Sequence, residues 1–223
     1  MTARRGDARR AAVSDLLAAA LPAAADRLGS LDRVPVESDL KAALRESLDG
    51  RLRGMTLEPG EHSVSLDDWP KVGAVDLAID LPDDHPVLIE LKWGRGTLYN
   101  CAWDAAKLAL AVARGVTNAA FMIAGAPSSE WSGKVLGSEL FADASWETSD
   151  FMDRHASGFA KWRGEVETRP AVLPARFSSR ERAAHVFQVH GEPWEIRMAQ
   201  ISTAPVWVLV SEDGRVGPLA SDD

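Results

Sequence analysis

Hydrophobic and polar positions change period several times along the 223-residue chain. Val13, Leu17, Ala20, Leu21, Ala24 and Leu28 recur at helical spacing and form one face of an amphipathic helix. A break at 31–35 precedes a second predicted helix over roughly 37–52, with Leu40, Ala43, Leu44 and Leu48 on one face and Gly50 and Gly54 near its end. The period then falls to two. Residues 62–66 alternate weakly, 75–80 clearly, and 87–93 form a strongly β-prone run. The turn-rich link 81–86 makes the last two an antiparallel hairpin. Gly94-Arg95-Gly96 ends the third strand, a helix follows over about 97–114, and the apolar run 118–125 reads as a fourth, buried strand.

Helix, three strands, helix, strand is the order of an α/β layered core with helices flanking a mixed sheet, confined to about 36–127. Beyond it, 147–163 is a predicted helix with Phe151, Met152, His155, Phe159 and Trp162 on one side. Residues 184–190, 193–202 and 206–210 are predicted strands, the first two joined around Gly191. Three segments result: an N-terminal amphipathic helix over 1–35, a core over 36–146, and a helix-and-strand extension over 147–223 that can pack on the core as one domain.

Composition narrows the classes. At 46% hydrophobic and 26% charged the chain is an ordinary globular protein, which excludes global disorder. Four arginines in residues 1–10 followed by an Ala/Leu stretch look like a secretory signal, but Asp15 interrupts the stretch. No apolar run approaches the ~18 residues of a membrane span. The single cysteine, Cys101, excludes an internal disulfide and a cysteine-based zinc site, and points to a reducing, cytoplasmic setting. Eight tryptophans are expected to serve mainly as core packing, Trp69, Trp93, Trp103 and Trp207 among them. The five histidines lack metal-ligand spacing, and there is no phosphate-binding loop or nucleophile elbow.

Four positions carry the candidate chemistry. Period-two geometry puts Glu90 and Lys92 on one face of their strand. A hairpin centred near 83–84 pairs residues whose numbers sum to about 167, which brings Asp76, rather than Asp80, opposite 90–92. Glu37 lies seven residues before Leu44 on the apolar face of its helix, whereas Glu46 points away. On the following helix Asn100, Asp104 and Lys107 share a face, with Asp104 and Lys107 spaced as an intrahelical ion pair.

This arrangement resembles the PD-(D/E)xK nuclease superfamily, the restriction-endonuclease-like fold, over about 36–127. Members carry a glutamate on the helix before the sheet, an aspartate on the second strand and Glu-x-Lys on the third. Glu37, Asp76 and Glu90-Leu91-Lys92 stand in those places, with Val75 where the family often has proline. The resemblance implies magnesium- or manganese-dependent cleavage of phosphodiester bonds, most naturally in DNA, and a site lined further by Asn100, Asp104 and Lys107.

The residue types suit that chemistry on independent grounds. Magnesium keeps several waters and takes one or two carboxylates plus phosphate oxygens, here Asp76 and Glu90. A lysine supplies a compact charge near the nucleophile or the developing negative charge, and its pKa can shift enough to aid deprotonation. Acid-x-Lys alone is a weak pattern, and Asp39-Leu40-Lys41 is a second, helical match. The same charges also admit a plain reading as a solvated strand face, with Asp76 as an ion-pair partner.

Net charge is −8, from 33 acidic and 25 basic residues, so a grip on nucleic acid must be local. Residues 154–182 hold seven basic and three acidic residues, which makes Arg176, Arg180 and Arg182 candidate backbone contacts. The acidic balance keeps open a second function: a catalytically silent nuclease-fold module of immunity or regulatory type that binds a protein partner.

Overall fold

Regular alternation and helical periodicity place the main elements where the sequence suggests. The computed structural model describes residues 2–58, 62–63, 74–82, 84–132, 137–156, 171–203, 207–210 and 216–218. The helices are α1 (Thr2–Gly29), α2 (Glu37–Leu48), α3 (Cys101–Ala113) and α4 (Thr148–Arg154). The strands of the first half are β1 (Thr56–Leu57), β2 (His62–Ser63), β3 (Ala74–Val75), β4 (Leu77–Asp80), β5 (Val87–Trp93) and β6 (Ala119–Pro127). Those of the second half are β7 (Ala144–Glu147), β8 (Ala171–Pro174), β9 (Arg176–Val189), β10 (Glu192–Thr203), β11 (Trp207–Val210) and β12 (Val216–Pro218).

The architecture is α/β, built on a mixed seven-stranded sheet in the order β1-β4-β5-β6-β10-β9-β7. β5 and β6 are parallel and joined through α3, while the β4–β5 and β9–β10 pairs are antiparallel. Helices cover both faces. The predicted apolar faces of α1 and α2 pack with Leu77, Ile79, Val87, Ile89, Leu91 and Trp93 on one side. α3 packs on the other, over Ala78, Leu88, Met122 and Ala124. Glu90 and Lys92 share the parity of Leu88 and therefore face α3.

Two strand expectations change. The segment 75–80 is not one strand: β3 pairs with β2 and β4 with β5, and the chain bends at Asp76, whose carboxylate takes the Leu91 N–H that backbone pairing would otherwise serve. The strand expected at 184–190 is the second half of the 14-residue β9. Arg182 is an extra residue there, between Glu181 opposite Ala199 and Ala183 opposite Met198. That bulge reverses the alternation, so Phe177 joins the α3 side of the core and Phe187 and Val189 the α1–α2 side. The third expected strand is present as β11, which belongs to a small sheet with β8 and β12.

The helix expected at 37–52 ends at Leu48, with Gly50 in a left-handed conformation soon after. Phe151, Met152 and His155 are buried at α4, whereas Phe159 and Trp162 lie outside the described residues. Among the tryptophans, Trp93 is buried and Trp103 packs against the core, and Trp69 lies outside the described residues. No helix of the described residues is long and apolar enough to cross a membrane.

Candidate active site

The start of α2 is fixed from two directions. Asp39 accepts the Val36 N–H at 2.8 Å and is held by the Arg33 guanidinium, which closes the first turn around Glu37. Trp93 Nε1 donates to the Pro35 carbonyl at 2.8 Å, which ties the approach to α2 to the end of β5. Glu37 is therefore not packed under the sheet as its place on the apolar face suggests. It sits half-exposed at the helix start and reaches past the strand end to Lys92, 3.9 Å away. Glu46 does point elsewhere, to Arg27 on α1.

The hairpin register is Leu77 opposite Ile89 and Ala78 opposite Leu88, so its continuation brings Asp76 beside Glu90 as the number sum anticipates. Asp76 Oδ2 accepts the Leu91 N–H at 2.8 Å. From the facing helix, Asp104 meets both lysines: its Oδ2 lies 3.0 Å from Lys92 Nζ and its Oδ1 lies 3.1 Å from Lys107 Nζ. Lys107 also contacts Glu90 Oε1 and donates to the Ala74 carbonyl at 3.0 Å. Glu90 Oε1, though touched by that ammonium, receives no well-angled hydrogen bond. Lys92 completes its shell by donating to the Leu91 carbonyl at 3.0 Å.

Five sequence-selected residues, Glu37, Glu90, Lys92, Asp104 and Lys107, thus form one ion-paired network, with Asp76 anchored alongside it. Asn100 does not join: it is exposed at the head of α3 and none of these contacts involves it. Asp104 was legible only as a lining residue, yet it is the hub. Its signal was the i, i+3 spacing to Lys107 on a helix that had to cross the Glu-x-Lys face.

The electrostatics follow from burial. Glu90, Asp104 and Lys107 are 2%, 7% and 6% exposed, and charges so enclosed are costly unless compensated. Burial first, then Asp104 and Asp76, push the Glu90 carboxyl far above the ordinary glutamate range against the opposing pull of Lys107. Burial alone would lower both ammonium groups. Asp104 and Glu37 outweigh it at Lys92, and Glu90 and Asp104 outweigh it at Lys107, so both are held more firmly charged than a free lysine. Lys92 is therefore a fixed cation here, not the readily deprotonated amine that its residue type also permits. Burial, with Asp76 and Asp104, likewise raises Glu37 despite Lys92.

Asp76, Glu90, Asp104 and Glu37 set four carboxylates against two ammonium groups, an excess of two negative charges when all are ionised. The donors are hard oxygens, and this excess matches one divalent cation. Among the described residues no three His, Cys, Asp or Glu side chains group as a ready chelate. Oxygen donors of this kind are ones that magnesium takes, with one or two carboxylates sufficing beside waters and phosphate oxygens.

Two clefts of about 650 and 700 Å³ share Gly50, Arg53, Gly54 and Met55, beyond the far end of α2. Of the arginines selected for nucleic-acid contact, Arg176 is paired with Glu147 and Arg182 donates to Ser14 on α1 at 3.0 Å. Arg180 alone stays exposed without an ion-pair partner among the described residues. Lys161, Arg163 and Arg169 of the same basic window lie outside the described residues. Compared with protein-family models, curated proteins and solved structures, the chain matches none.

Proposed function

We propose that the protein is a divalent-metal-dependent nuclease of restriction-endonuclease-like type that hydrolyses phosphodiester bonds, in DNA above all. The observation that carries this reading is the convergence of Asp76, at the bend before β4, with Glu90 and Lys92 of β5, in a largely buried network that has two negative charges in excess when all its carboxylates are ionised. The order α2, β4, β5, α3, β6, with β5 and β6 parallel, supports the finer fold assignment.

Asp76 and Glu90 would hold magnesium or manganese. When bound, the ion supplies an acidified water and neutralises phosphate charge. Lys92, locked as a cation by Asp104 and Glu37, stabilises the negative charge that develops on the phosphate oxygens and does not act as a base. Glu37, half-exposed at the start of α2 and raised above an ordinary glutamate, is the carboxylate placed to take a proton from an attacking water. Asp104 positions Lys92.

A second reading rests on Lys107. In a silent module, its contacts with Glu90 and Asp104 would be the whole purpose of the network, and the exposed Val34, Val36 and Tyr99 would face a protein partner. A nicking assay on supercoiled plasmid and on single strands, with and without magnesium or manganese, separates the two. The nuclease reading expects metal-dependent cleavage that Asp76→Ala removes. Wild-type protein that cleaves neither substrate with either ion would favour the silent module.

A further inference from the structure

Lys107 is a second buried cation for which the proposed hydrolysis has no use. Its ammonium touches Glu90 Oε1, lies 3.1 Å from Asp104 Oδ1 and donates to the Ala74 carbonyl at 3.0 Å, with its side chain 6% exposed. Two carboxylate oxygens and a main-chain carbonyl around one enclosed charge are the ligand types a hard divalent ion takes. Asp104 does not depend on Lys107 for neutralisation, because Lys92 already meets its other oxygen at 3.0 Å. The partner that depends on Lys107 is Glu90, the most enclosed carboxylate of the network.

We propose that Lys107 is a resident cation that competes with the divalent ion for Glu90 and thereby sets the metal affinity of the site; this rests on the nuclease reading of the same residues. Without metal, the ammonium sits on the enclosed Glu90 carboxyl and offsets its charge whenever it ionises. With metal, Nζ and the ion contend for the same carboxylate, and the repulsion between them weakens binding. Asp104, on the same helix at i, i+3, is the carboxylate that retains the displaced ammonium. The arrangement limits tight occupancy to conditions of ample magnesium or manganese.

Removing the ammonium while keeping the stem, as in Lys107→Met, raises the excess negative charge of the fully ionised network, the form that binds metal, from two to three. Calorimetry with magnesium and with manganese, alongside the metal-induced rise in Tm, tests the idea on wild type, Lys107→Met and Asp76→Ala. The expected result is roughly tenfold or more tighter binding by Lys107→Met, about 1.4 kcal/mol or more, with a larger rise in Tm, and no binding by Asp76→Ala. Equal or weaker binding by Lys107→Met, beside a wild type that binds, overturns the competition and leaves the nuclease reading standing. Absence of binding by both at millimolar metal removes the metal-dependent reading and this inference together. Should Lys107→Met unfold, its recovery by magnesium or manganese is the expected behaviour. Failure to recover, beside a wild type that binds metal, overturns the inference.

Discussion

At Lys92 two opposing effects can be ranked. Burial disfavours its charge, yet Asp104 at 3.0 Å and Glu37 at 3.9 Å win, and the residue stays protonated. Lys92→Ala is expected to remove nicking while magnesium still binds, as calorimetry would record. Asp104 is also deprived of a cation in that variant, so stability should fall by about 1–3 kcal/mol; an unaltered cleavage rate would exclude the role. Glu90 gives a pH prediction. Its folded carboxyl is pushed from the usual 4.5 up to about 9, so the native state holds a proton that the unfolded chain has released. Stability linked to Glu90 is then complete below the ordinary glutamate range and declines as pH rises through that window. Denaturant midpoints of the metal-free protein should fall with pH across it, and more gently in Glu90→Gln. Parallel slopes would mean that other groups set the dependence. The placement of residues 76, 90 and 92 was legible because strand parity and hairpin register are local. The pairing of Lys107 with Glu90 was not, because it depends on how closely α3 lies over β5.

Between elements, the contact that positions the site is the one Trp93 makes. Its ring stacks on Trp194 with centroids 5.0 Å apart, and its Nε1 holds Pro35, two residues before Glu37. The ring also lies over Gly125 of β6, where an added Cβ would collide with Trp93 Cζ3 and Cε3. Gly125→Ala should therefore cost about 1–3 kcal/mol through overpacking. By shifting Trp93 it should also displace the α2 start and lower nicking in conditions where the variant remains folded. A thermal melt and a rate measured below the variant's Tm check both; an unchanged Tm would show that Trp93 swings aside freely. The two strands whose bounds differ from the sequence reading, at 75–80 and 184–190, share one cause, an interrupted alternation. Asp76 breaks the strand with a side chain that takes a backbone N–H, and Arg182 inserts a residue that reverses inward and outward positions. A period-two pattern cannot be read across either.

On the scale of the whole molecule, the second and third sequence segments share one sheet, and the first packs on it through α1. β10, from the C-terminal segment, pairs with β6 of the predicted core, and α1 packs with α2, Phe187 and Val189. The basic window is correspondingly less free than its charge count suggests, since Arg176 and Arg182 are engaged by Glu147 and Ser14. Changing Arg176, Arg180 and Arg182 together to serine should weaken nucleic-acid binding and reduce its salt slope by about one unit for each phosphate no longer neutralised. Titration at several salt concentrations measures this, and unchanged affinity would move the binding surface elsewhere. The amphipathic helices α1 and α2, the β4–β5 hairpin and the burial of β6 were determined by the sequence alone, because each is a periodicity carried within a short window. Tertiary structure decided the rest: the joining of β10 to β6, the bulge in β9, the reach of Glu37 past the strand end, and the partners of each buried charge. The physical reason is distance along the chain. Charge partners and sheet neighbours are chosen by packing between segments tens of residues apart, and no local pattern encodes which of several like-charged side chains is brought within about 4 Å of a given one.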